Sequence, residues 1–209
     1  MKLTDLTIEK FTATTASGEP VPGGGSISAL CGALSAALGE MVGHLTLGKK
    51  KYADVQPIIE EAVTRLQPIS IKMLEAVDLD SQAYDTVFKA YKLPKDSEED
   101  KTARTQAIQN AMKVAANVPM NVALTIADIL PTLLMLAESG NQNAITDAYV
   151  ATLCARTAIL GASANVRINL MSITDKEFVD KSEETIKLLI EKANDAEERV
   201  SVLLNKTFN

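Results

Sequence analysis

Three polar insertions break into otherwise apolar helical sequence, and they carry the side chains best suited to chemistry. The first is Val77-Asp78-Leu79-Asp80-Ser81-Gln82-Ala83-Tyr84. Successive acids are not there for helix propensity, and a positioned carboxylate is a ready donor or acceptor of protons. Positions 80 and 84 share a helix face, so Asp80 and Tyr84 project together, while Asp78, Ser81, Gln82 and Asp85 form a neighbouring face. A merely solvated helix face is the competing reading. The second insertion is Gly140-Asn141-Gln142-Asn143-Ala144-Ile145-Thr146-Asp147, where helix capping would explain one of the polar residues but not all of them. The third is the pair Asn165 and Asn169, four apart on an apolar helix, whose amides need partners if buried.

The loop Pro20-Val21-Pro22-Gly23-Gly24-Gly25-Ser26 feeds a small-residue run from Ile27 to Gly48. Prolines stiffen the approach, glycines free the backbone, and Ser26 is placed to cap the first free amides of a helix. Bare N–H groups at a helix start, with its dipole, suit a carboxylate, phosphate or carbonyl oxygen. The loop lacks the lysine of a P-loop, and no strand precedes it, which argues against nucleotide binding by that route. His44 is the sole histidine and, with Glu40 one turn back, reads as a hydrogen-bonded core residue; no metal is expected. Lys49, Lys50 and Lys51 follow a helix C-terminus, either as a solvated cap or as a dock for a polyanionic tail.

Long helices must position these groups. Ile27, Leu30, Leu34, Leu38, Met41 and Leu45 keep helical spacing, and Gly32, Ala36, Gly39 and Gly43 form a flat stripe for close packing against a helix or a second subunit. Further helical stretches run from Asp54 to about Lys92, from Ser97 to about Glu138 with Pro119 and Pro131 as kinks, through the Ala-rich region to Leu170, and from Asp175 to about Lys206. No stretch alternates with period two. The sequence therefore predicts an all-α bundle of about five long, partly kinked helices forming a single domain over residues 1–209, with an aliphatic core, since aromatics are only 4% and Trp is absent. A net charge of −6 argues against nucleic acid as a partner. Cys31 and Cys154 read as buried free thiols in a reducing compartment. Apolar stretches at 27–47 and 118–137 approach membrane-spanning length but carry Glu40, His44, Asn121, Asp128 and Pro131, so they read as core helices. No membrane partner is expected, and without a signal peptide pattern a cytoplasmic location is.

Taken together, Pro20 to Ser26, Thr46-Leu-Gly-Lys-Lys-Lys-Tyr52, Val77 to Tyr84, Leu93-Pro-Lys95, Gly140-Asn141 with Asp147, and Asn165-Val-Arg-Ile-Asn169 resemble the formimidoyltetrahydrofolate cyclodeaminase and methenyltetrahydrofolate cyclohydrolase family over nearly the whole chain. The resemblance implies an all-helical homodimer acting on a one-carbon folate, monoglutamyl or polyglutamylated, with no metal or redox cofactor. In animal members the domain is fused to a formiminotransferase, so a separate transferase partner is implied. By resemblance, Asp80 is the catalytic residue, with Asp78 as second choice or pKa partner. Gly23, Gly24, Gly25 and Ser26 would form a wall for the folate, Asn141 and Asp147 would orient it, Asn165 and Asn169 would supply amide contacts, and Lys50 and Lys51 would anchor the glutamate tail. Cyclodeaminase is the leading activity and cyclohydrolase the alternative; a folate-binding or interaction protein without chemistry is a third reading.

Overall fold

A computed structural model describes residues 2–208 as an all-helical bundle. A 3-10 turn at Leu3–Asp5 precedes α1 (Ile8–Thr15); α2 (Gly24–His44) is followed by a 3-10 segment at Lys50–Val55; then come α3 (Gln56–Tyr91), α4 (Glu98–Ser139), a 3-10 turn at Gln142–Ala144, α5 (Ile145–Leu170) and α6 (Lys176–Phe208). Five of the six α-helices among the described residues are long, as the periodicity predicts, and the core is aliphatic: Ile59, Leu66, Met73, Ile126, Ile129, Leu133, Ile159 and Ile186 belong to one cluster and are all essentially inaccessible. The start signal holds at α4. Ser97 accepts from the Asp100 amide at 3.0 Å while the Asp100 carboxylate accepts from the Ser97 amide, a capping box, whereas α6 opens with Asp175 accepting from the Phe178 amide at 3.1 Å.

The small-residue stripe of α2 packs within the chain. A Cβ on Gly32 would press on Ile126 and Met73, one on Gly39 on Leu133 and Leu66, and one on Gly43 on Val63. Read together with Gly25, which faces Asp80, these contacts set an antiparallel register in which residues 63–80 of α3 line the length of α2. The last eleven residues of α3 therefore project about 16 Å past the start of α2. A second stripe of α2, with Leu34, Met41 and Leu45 exposed, stays uncovered.

Both α2 and α4 are long and apolar enough to cross a membrane, yet 56% and 67% of their most apolar windows are buried in the bundle. Neither Pro119 nor Pro131 ends α4, and Pro68 lies inside α3. Three expectations change. His44 is exposed, pairing with Glu40 at 3.4 Å instead of entering the core, because it sits on the last turn of α2 away from α3 and α5. Both cysteines are free but half-buried, with thiol pKa values pushed up by burial. Ser26 does not cap α2: Gly23 does, with its carbonyl accepting from the Ile27 amide, which places Ser26 inside the first turn.

Candidate functional site

The helix start that the Gly-rich loop prepares is filled by the protein's own carboxylate. Asp80, half-buried on α3, lies against Gly25, where a Cβ would collide with the carboxylate. Its Oδ2 accepts from the Ser26 hydroxyl at 2.9 Å, and the Ser26 amide also bonds to it. Burial pushes the Asp80 pKa up, and the two Ser26 hydrogen bonds oppose that shift without cancelling it. A raised carboxyl can give a proton as well as take one.

Ser26 is fully buried, and its hydroxyl is also within reach of the Val77 carbonyl, at 3.1 Å. One O–H proton cannot serve both acceptors fully. With Asp80 ionised the hydroxyl donates to the carboxylate; with Asp80 protonated it can accept from the carboxyl and donate to Val77. Asp80 thus keeps a hydrogen-bond partner in both protonation states. The next residue, Ser81, has a buried Oγ with no hydrogen-bond partner among the described residues. The part played by Val77 escapes a reading of side-chain motifs, since it acts through its backbone carbonyl; Ser81 belongs to the polar insertion read from the sequence, and only the fold shows its unmet hydrogen bond.

Asp78 points elsewhere. Its Oδ1 accepts from the Leu3 amide at 2.6 Å and its Oδ2 from the Thr4 hydroxyl at 2.8 Å, which ties the N-terminal segment to α3. Between that segment and α2/α3 lies an apolar cavity of about 460 Å³ lined by Phe11, Ile27, Leu30, Leu74 and Val77 among others. Asn165 stands beside Gly24, where a Cβ would lie 3.1 Å from its Nδ2, and that amide donates to the Gly161 carbonyl at 2.8 Å. The Asn169 amide donates to the Ala115 carbonyl at 3.0 Å. That carbonyl would have paired with the amide of residue 119, which is proline and has no N–H. Asn169 therefore repairs α4 where Pro119 opens it.

This glycine-lined carboxylate at the junction of α2, α3 and α5 sits in a chain whose residues 7–188 match the family model described as formiminotransferase-cyclodeaminase. The chain belongs to that family. A methenyltetrahydrofolate cyclohydrolase from Methylorubrum extorquens is 36% identical over 203 residues, covering 97% of this chain and 98% of that one. Formimidoyltransferase-cyclodeaminase of Rattus norvegicus is 33% identical over 191 residues, and the matched part is 35% of its length. A crystal structure of formiminotetrahydrofolate cyclodeaminase from Thermotoga maritima superposes with a TM-score of 0.89 at 32% identity, covering both chains completely. The all-α architecture of the family is thus the architecture of this chain.

The family-derived site residues fall into two groups. Gly23 to Ser26, Asp78, Asp80, Asn165 and Asn169 gather at the N-terminal end of α2. At the other end, Asn141 caps its own 3-10 turn, its amide donating to the Leu45 carbonyl at 3.0 Å, and its backbone N–H donates to Thr46 Oγ1 at 2.8 Å. Tyr52 joins it, its hydroxyl accepting from the Gln142 amide at 3.0 Å, with Lys51 Nζ 5.5 Å from the Tyr52 ring centre. Lys50 begins the segment that carries Tyr52, and Asp147 lies in the first turn of α5. A helix of 21 residues separates the two ends by about 30 Å. Within one chain, Asn141, Asp147, Lys50 and Lys51 do not reach a group reacting at Asp80.

Proposed function

We propose that this chain acts on the one-carbon bridge between N5 and N10 of tetrahydrofolate, as a 5-formimidoyltetrahydrofolate cyclodeaminase giving 5,10-methenyltetrahydrofolate and ammonia. The observation that carries it is the half-buried, pKa-raised Asp80 held by Ser26 against Gly25. N10 attacks the formimidinium carbon, forming the N10–C bond. Asp80 takes the proton that N10 sheds and returns it to the amino nitrogen. The C–N bond then breaks, ammonia departs and the positive charge remains on the methenyl bridge, facing the carboxylate. Raised proton affinity supports the donating half of this shuttle, and the charge supports the cation. The relay calls for no metal or redox cofactor. Formimidoyl-folate would come from a transferase acting before it, as the fused length of the rat relative supports.

The Methylorubrum relative of matching length favours a second reading, cyclohydrolase, in which the same carboxylate helps water add to the methenyl carbon and the ring opens to 10-formyltetrahydrofolate. Incubation with each folate, followed at the methenyl absorbance, separates the two. Growth with ammonia release is the expected result; faster decay of the methenyl compound selects the hydrolase; no effect on either removes both.

A homodimer is part of the proposal. The exposed stripe of Leu34, Met41 and Leu45, flanked by half-buried Leu30 and Leu38 on the same helix, is an apolar face that a second copy would cover. Sedimentation at micromolar concentration is expected to give twice the chain mass, and Leu34→Glu with Met41→Glu to give one chain mass. A single-chain mass for the unaltered protein would remove the dimer.

A further inference from the structure

Asp80, Tyr84, Phe88 and Lys92 succeed one another at four-residue intervals, forming one ridge that starts opposite the first turn of α2 and runs along the projecting end of α3 to its C-cap. Tyr84 and Phe88 are 44% and 51% exposed, large for aromatic rings in a chain with so few. They are also ordered: the rings lie 6.5 Å apart and within 10° of parallel. Lys92 folds back so that its Nζ is 4.1 Å from the Phe88 ring centre. Among the described residues no helix buries these two rings, because α2 begins only opposite Asp80. The order along the ridge is carboxylate, ring, ring, cation, over about 18 Å.

Resting on the function proposed above, we infer that this ridge is the track for the p-aminobenzoylglutamate arm of the folate. With the reacting carbon at Asp80, the aryl ring attached to N10 meets Tyr84 and Phe88, and the glutamate carboxylates beyond it meet Lys92. Chemistry and order match at each step: cation over carboxylate, stacking faces beside the aryl ring, ammonium beside the tail. Lys92 takes the role that the resemblance assigns to Lys50 and Lys51, which stand about 30 Å away at the other end of α2. It also gives exposed aromatic rings a partner with a flat face, where stacking on such rings commonly changes affinity by tenfold or more.

All three side chains are exposed, so their replacement leaves the core untouched. Tyr84→Ala and Phe88→Ala are each expected to raise KM for the folate substrate about tenfold, with a smaller change in kcat, and Phe88→Tyr to restore it. Lys92→Glu is expected to raise KM more for a triglutamyl than for a monoglutamyl substrate, with Lys92→Arg near the unaltered value. Binding of 5-formyltetrahydrofolate, measured by calorimetry, gives a reading independent of turnover. Weakened binding in the ridge variants supports the track even if neither folate is turned over, an outcome that would sink only the reaction. Unchanged KM and binding in all three, or loss confined to Lys50→Ala and Lys51→Ala, overturns the track. So does a change in molar mass of the ridge variants with KM unaltered, which would make the ridge a contact between copies.

Discussion

Asp80→Asn is expected to lower kcat by about 10²-fold or more while leaving the fold intact. The asparagine is nearly isosteric and its carbonyl oxygen can still accept from Ser26, so the geometry around Gly25 survives. What disappears is the group proposed to move the N10 proton. Stability should move the other way. Because burial raises the folded-state pKa of Asp80, the folded protein binds a proton more tightly than the unfolded chain. Its favourable contribution is therefore complete below the ordinary aspartate pKa and is lost as pH rises through the raised value. Asp80→Asn, which cannot ionise, should remove that loss, so the variant should equal or exceed the unaltered protein in Tm at neutral pH while being the poorer catalyst. The two measurements together separate a catalytic carboxylate from a structural one. A kcat within a few-fold of the unaltered value, or a large fall in Tm at neutral pH, would contradict the assignment.

Gly25→Ala should be nearly as damaging by a different route. The added methyl falls on the Asp80 carboxylate, and neither partner can yield easily: Gly25 is backbone in the first turn of α2, and Asp80 is held by Ser26. Relief requires α3 to back away or Asp80 to leave its rotamer. Overpacking of this kind costs about 1–3 kcal/mol, of which the better helix propensity of alanine returns up to about 1. The net loss of stability is modest, whereas misplacing a reacting group by about 1 Å can cost about 10²-fold in rate. A steep fall in kcat with Tm lowered only a few degrees is therefore expected, together with loss of the raised pKa from the pH profile. Gly23→Ala, at a position where an added Cβ meets only the Pro20 carbonyl at 3.3 Å, serves as the comparison and should be far milder. Equal activity for Gly25→Ala and Gly23→Ala would show that the close approach does not matter.

Local rules read the helices well from the sequence. The start signal at Ser97 is contained within four residues and the structure keeps it, whereas the last helix opens through Asp175 accepting from the Phe178 amide and not through the Thr174–Glu177 capping box that its sequence suggests, because the Thr174 hydroxyl donates to Gln109. What joins distant segments was less legible. The Gly-rich loop was recognisable as an anion cradle, yet nothing local could say that its anion is Asp80, 54 residues away and brought there by the register of α2 on α3. Ser26 misled because a serine after glycines resembles a cap; the helix starts two residues earlier and turns that hydroxyl towards α3. The amide of Asn169 needed a partner, as expected for a half-buried amide, but its answer depends on a proline in another helix. The ridge from Asp80 to Lys92 was written in four-residue steps, and only its first step was visible, since exposure of the rest depends on where α2 stops.

The filled helix start has a consequence for the catalytic cycle as proposed. A site that carries its own anion is near neutral only when that anion is protonated or faces a cation. Arrival of a formimidinium folate would favour the ionised carboxylate, and departure of the methenyl product would restore its raised proton affinity. Affinity for the cationic substrate would then fall as pH drops through the Asp80 pKa, and inorganic anions would find the cradle already taken.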